Sequence, residues 1–112
     1  PYPDRLPSPA APPDLVSAGR LDFRAPDEKR FPALPIAREA GRRGAAASAA
    51  LIAADEIAVE RFLGRSLSFP GIPALLGAAV ERFGQGGEPG LEELVLLDAE
   101  VRAFARAYVE AR

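Results

Sequence analysis

Histidine, cysteine, methionine and tryptophan are all absent from these 112 residues. Without histidine the chain lacks the commonest general base, the usual base of a catalytic triad and the most frequent metal ligand. Without cysteine it forms no disulfide and runs no thiolate chemistry, which fits a reducing, cytoplasmic compartment. Methionine is missing even at position 1, where Pro1 stands. Translation starts on methionine, so the expectation is that these residues are part of a longer polypeptide. An excess of one charge is missing too: 14 basic and 16 acidic residues are well mixed, for a net charge of −2. No basic field is present to hold nucleic acid, which argues against such a partner. No apolar run reaches the roughly 18 residues of a membrane span, and no secretory signal is visible.

Proline, by contrast, is plentiful and unevenly placed. Nine of the 12 prolines fall between Pro1 and Pro35. Residues 1–30 therefore read as an extended connector, because "PYPDRLPSPAAPPD" opposes helix and favours polyproline-like or turn geometry. Within it, "GRLDF" alternates Leu21 and Phe23 with polar neighbours and predicts one short strand. That strand has no partner candidate here and would add to a sheet elsewhere or lie against helices. Asp27, in "APDEKRFP", is placed to cap a turn.

Residues 31–112 read as a helical domain. A first helix is expected from about Leu34 to Arg43, with Pro35 in its opening turn and Gly41 and Gly44 around its end. A second, rich in alanine, runs from about Ala46 to Leu63 and stops at Gly64. Ser68 is a natural N-cap for a third, in which Ile72, Leu75, Leu76, Ala79, Val80 and Phe83 keep an i, i+3, i+4 rhythm. "GQGGEPG" interrupts the chain. A fourth helix from about Leu91 to Glu110 carries Leu94, Leu97, Val101, Phe104 and Tyr108. The fold class is all-α: a small four-helix bundle preceded by a proline-rich arm with one short strand.

The chemically suggestive residues are Asp55 and Glu56, inside "ALIAADEIAVERFL" (50–63). On a helix with Leu51 at zero, Phe62, Val59, Ile52 and Leu63 fall at roughly 20°, 80°, 100° and 120°. Asp55 falls at roughly 40° and Glu56 at about 140°, so Asp55 is expected in the core and Glu56 at its edge. Neighbouring positions diverge too far to chelate one metal, and only Glu60 stands at i+4 with no histidine to help. Acid–base catalysis needs a second positioned group and a cleft, which a packing face does not supply. Both are therefore read as structural polar contacts. For Asp55 the candidate donors are Arg38, Arg42, Arg43 or the free N–H groups of a neighbouring helix start, and Glu56 is solvated or paired with an arginine. "GQGGEPG" (84–90) fails the dinucleotide fingerprint, since Pro89 replaces the last glycine and a helix precedes it. "GRRG" (41–44) could hold an anion, but two arginines there equally complement a helix C-terminus. No catalytic, cofactor-binding or metal-binding residue emerges.

The order of pieces is nevertheless distinctive. "YPDR", then "LDF-x-A-P-D-x-x-R-F-P-x-L", "A-L-x-A-A-x-E-I-A-V-x-x-F-L", "F-x-x-I-P" at Phe69–Pro73 and "L-E-E-L-x-x-x-D-A-E-V-R" follow one another along nearly the whole chain. Together they resemble the C-terminal part of 1-deoxy-D-xylulose 5-phosphate reductoisomerase, an NADPH- and divalent-metal-dependent enzyme (magnesium or manganese) of non-mevalonate isoprenoid biosynthesis. The resemblance implies a connecting arm plus a non-catalytic helical bundle. Its partners would be the NADPH-binding and catalytic domains of the same polypeptide, in a homodimeric parent of the bacterial cytoplasm. The family's cofactor, metal and substrate residues lie in those earlier domains and have no counterpart here. One departure falls on the acidic pair: the family usually has Asn-Ala-Ala-Asn-Glu where this chain has Ile52-Ala53-Ala54-Asp55-Glu56. The alternative reading is a free-standing helical module that recruits another protein.

Overall fold

Alanine decides how this chain packs. A computed structural model describes residues 9–110, in which five helices follow one another: α1 (Leu15–Ala18), α2 (Ala33–Arg43), α3 (Ala45–Leu63), α4 (Gly71–Phe83) and α5 (Leu91–Ala107). On α3, Ala46, Ala47, Ala50, Ala53, Ala54, Ile57 and Ala58 are buried. They occupy one face, at roughly 200° to 340° with Leu51 at zero. Small side chains along that face shorten the distance at which a neighbouring helix packs. α3 accordingly sits at the centre of the bundle, in contact with α2, α4 and α5, while α4 touches both α2 and α5.

The larger side chains come from the helices around it. Ala50, Ala53 and Ala54 meet Leu76 and Ala79 of α4 and Val101 of α5. Toward the C-terminal end of α3, Ile57 and Ala58 meet Leu67, Leu75 and Ala105. At the other end Ala47 meets Ala40 and Val80. Phe104 closes one side, with Phe83 and Tyr108 edge-on to it at centroid separations of 5.4 and 6.0 Å.

Two glycines set the joints. Gly44 alone separates α2 from α3, at a φ of +108° that a residue with a Cβ rarely adopts. Gly84 ends α4 against the start of α3, where a Cβ would lie 2.4 Å from the Val80 carbonyl oxygen and 3.0 Å from the Ala47 Cβ. Ser68 is expected as the N-cap of α4, but the N-cap is Pro70; the Ser68 Oγ instead accepts from the Gly71 N–H at 3.0 Å and holds the turn that leads into the helix. Before α5, the Gly90 N–H donates to the Glu93 carboxylate at 2.8 Å.

The four expected helices are α2 to α5, and the fold is helical throughout. The arm differs from expectation in two respects. Among the described residues there is no strand: residues 20–27 have no regular structure and are exposed, because a strand needs a neighbour to receive its N–H and C=O groups. Instead the arm contains the single turn α1, where Asp14 accepts from the Val16 N–H at 3.0 Å and from the Ser17 hydroxyl, and Gly19 closes the turn. These two bonds, the Ser17 one foremost, hold the Asp14 carboxyl below its ordinary pKa. Asp27 caps a turn as expected, accepting from the Lys29 and Arg30 N–H groups at 3.1 and 3.0 Å. The expected proline-rich stretch lies partly outside the described residues, at positions 1–8.

Candidate functional site

Neither Asp55 nor Glu56 reaches the core. Both are exposed, and among the described residues no polar or charged side chain is buried. The expectation that they form contacts inside the bundle is therefore corrected. α3 has two apolar stripes: the alanines, which pack, and Ile52, Val59, Phe62 and Leu63, which face outward and are exposed. Asp55 belongs to the second. Close approach of three helices wins over the burial of α3's own larger side chains.

The ion pairs distribute accordingly. Glu56 accepts from Arg102 at 2.6 Å, and Arg102 also binds Asp98 at 2.7 Å, one turn away on α5. The two carboxylates, Asp98 more than Glu56, raise the Arg102 pKa further above its already high ordinary value. Of the two alternatives for Glu56, solvation or an arginine partner, the structure has the arginine, which fastens the outer edge of α3 to α5. Asp55 meets none of its candidate donors. Arg38 binds Glu28 at 2.5 Å, Arg42 and Arg43 bind Glu39 at 3.5 and 3.1 Å, and Arg43 also reaches Glu81 at 2.7 Å. Among the described residues Asp55 has no hydrogen bond or ion pair. The arginines of "GRRG" are consequently engaged within α2 and with α4. Glu39, then Glu81, raises the pKa of Arg43.

Arg61 carries a role that the sequence reading passed over. Its Nη1 donates to the Ala105 and Tyr108 carbonyls at 2.7 and 2.8 Å, and its Nη2 to the Ser66 carbonyl at 3.2 Å. One guanidinium thus caps the end of α5 and the turn after α3. As the sole cation of α3, placed in its last turn, it was the signal available in the sequence.

Among the described residues no three histidine, cysteine, aspartate or glutamate side chains gather where a metal could bind. The glycine-rich turn 84–90 joins two helices, and Glu88, Glu92 and Glu93 put negative charge at the start of α5, opposing a phosphate there. Carboxylates at that helix start repel the phosphates of a dinucleotide. A hollow of about 470 Å³ lies where the arm enters the bundle, lined mainly by apolar residues such as Phe31, Leu34, Phe69, Ile72 and Pro73, with Lys29 and Arg30 also among its lining. Among the described residues no helix is long and apolar enough to cross a membrane.

Helices tied to one another by ion pairs such as Arg43–Glu81 and Arg102–Glu56 make this a helical-bundle domain, in which the buried Arg43 Nη1 is left without a partner among the described residues. Its relatives specify which. The sequence matches the family described as the DXP reductoisomerase C-terminal domain over residues 1–104, and the chain belongs to that family. It is 46% identical over 109 residues to the 1-deoxy-D-xylulose 5-phosphate reductoisomerase of Bordetella avium, covering 93% of this chain and 27% of that protein. It is 43% identical to the same enzyme of Thermomicrobium roseum, covering 96% and 28%. Among solved structures, the Zymomonas mobilis reductoisomerase in complex with NADPH superposes with a TM-score of 0.82 at 35% identity, over 99% of this chain and 29% of that one. A reductoisomerase in complex with NADPH, fosmidomycin and magnesium gives 0.80 at 36% identity, over 95% and 28%. The chain therefore spans little more than a quarter of the length of the relatives it matches.

Proposed function

We propose that this chain is the C-terminal, non-catalytic structural domain of a 1-deoxy-D-xylulose 5-phosphate reductoisomerase. In this reading the parent polypeptide rearranges and reduces 1-deoxy-D-xylulose 5-phosphate to 2-C-methyl-D-erythritol 4-phosphate, with NADPH and magnesium or manganese. The observation that carries it is the near-complete match of the chain to one family's C-terminal domain, together with a bundle that gathers no reactive groups. NADPH and the metal are then held by residues outside these 112. Residues 1–30 act as the connector and 31–112 as the bundle that braces the catalytic part, in a homodimeric cytoplasmic enzyme.

The test has two arms. The longer polypeptide that contains this sequence is expected to oxidise NADPH in the presence of substrate and magnesium. Titration of NADPH into the 112-residue chain, followed by calorimetry, is expected to give no heat of binding. Stoichiometric binding to the short chain, or a longer polypeptide inert toward this substrate, would refute the assignment.

A further inference from the structure

The outer face of α3 is built the wrong way round for a helix that ends in solvent. Ile52 and Leu63 are 59% and 73% exposed, and Val59 and Phe62 lie with them on the same face at spacings of three, four and seven. The stripe continues beyond the helix, because the Phe62 ring meets that of Phe69 edge-on at 5.7 Å. Phe69 in turn lines the hollow at the root of the arm, as does Phe31. A ribbon of exposed hydrocarbon thus runs from the arm's entry along α3. In its middle stands Asp55, exposed and without a hydrogen bond or ion pair among the described residues. α3 has no cation to spare for it, since Arg61 is spent on carbonyls of the α5 end and the turn after α3.

We infer that this ribbon is the surface on which the remaining part of the parent polypeptide docks, and that the docked part brings a positively charged or N–H donor to Asp55. The inference rests on the proposed function above. Two features favour that occupant over a second copy of the chain. The relatives carry nearly three-quarters of their length outside the region matched here, a body large enough to cover an extended face. The exposed arm also joins the bundle at Phe31, beside the hollow, so the arm delivers preceding polypeptide to one end of the ribbon. A second α3 paired about a two-fold axis through the middle of the ribbon would set Asp55 near its own copy, carboxylate toward carboxylate, which is unfavourable.

The absence of cysteine from this chain gives a direct measurement. In the full-length polypeptide, Ile52→Cys is compared with Arg42→Cys, a control at a side chain 72% exposed on α2. Modification of each by a thiol reagent is followed on its own peptide by mass spectrometry. The expected result is at least tenfold slower modification at position 52. Adding Asp55→Lys to Ile52→Cys is expected to restore most of that rate, with the helical circular dichroism signal unchanged. Equal rates at 52 and 42 would overturn the docking, and protection that disappears on dilution would overturn the occupant in favour of a second copy. Protection indifferent to Asp55→Lys would overturn the role of Asp55. Turnover measured on the same samples separates the two readings: protection without turnover refutes the enzymatic assignment and leaves the docking standing.

Discussion

Ala54 shows what a small side chain contributes here. It is fully buried against Leu76, Ala79 and Val101, so the space beside it is already filled by its neighbours. Extra methylenes at such a position force side chains off their rotamers or push helices apart, at a cost of about 1–3 kcal/mol. Ala54→Leu is therefore expected to lower the unfolding free energy read from urea denaturation by an amount in that range, although it adds an apolar residue. Asp55, the next residue, should behave oppositely. Its side chain is exposed and free of intramolecular bonds, so Asp55→Leu and Asp55→Ala are each expected within about 0.5 kcal/mol of the parent in the 112-residue chain. A thermal melt that drops by many degrees for either would indicate a partner for the carboxylate inside the chain.

At the scale of elements, Arg61 joins three pieces at once, and its loss should be felt in all of them. Carbonyls at the end of α5 have no helical partner, and a guanidinium that donates to two of them replaces water with a fixed fork. Arg61→Ala is expected to cost about 1.5–3 kcal/mol, the usual worth of hydrogen bonds to a charged group. Arg61→Lys should recover only part of this, since an ammonium lacks the planar fork. Amide exchange would report the loss as faster exchange in the last turn of α5. The helices themselves were legible: glycines and the three–four rhythm fix α2 to α5 to within a residue or two, except that α4 is capped at Pro70 rather than Ser68 and α5 ends at Ala107 rather than Glu110. The orientation of α3 was not. Its alanines and its larger residues both recur with a helical period, so periodicity alone leaves two faces open. Weighing the stripes by residue size selected the outer one. What decides is the space between three neighbouring helices, a tertiary quantity. The candidate site follows from the same choice: an arginine partner for Glu56 was one of two options open in the sequence, whereas the burial of Asp55 depended on the face. The short turn α1 was hidden because proline density around it argues against helix, while Asp14 and Gly19 suffice to close four residues.

For the molecule as a whole, the end of the chain is tied back across the bundle by one carboxylate. After α5 the chain extends through Tyr108, and Glu110 reaches the segment before α4, accepting from the Ser68 hydroxyl and from the Ser68 N–H at 3.2 Å. Together with Arg61, this fixes the exit of α5 against the joint between α3 and α4. The Ser68 bonds, and to a lesser degree the charge of Arg61, hold the Glu110 carboxyl below its ordinary value of 4.5. A carboxyl depressed on folding stabilises the folded state above its unfolded pKa, and that contribution is lost as pH falls through the lower folded value. The tether should accordingly be intact at neutral pH and release only on acidification below about 4.5. The Ser68 amide resonance is expected to follow this titration with a midpoint under that value. In Glu110→Gln the same resonance should be insensitive to pH across the window, because the amide carries no titrating proton. A midpoint at or above 4.5 in the parent chain, or an unchanged titration in the glutamine variant, would mean that another group holds this end of the bundle closed.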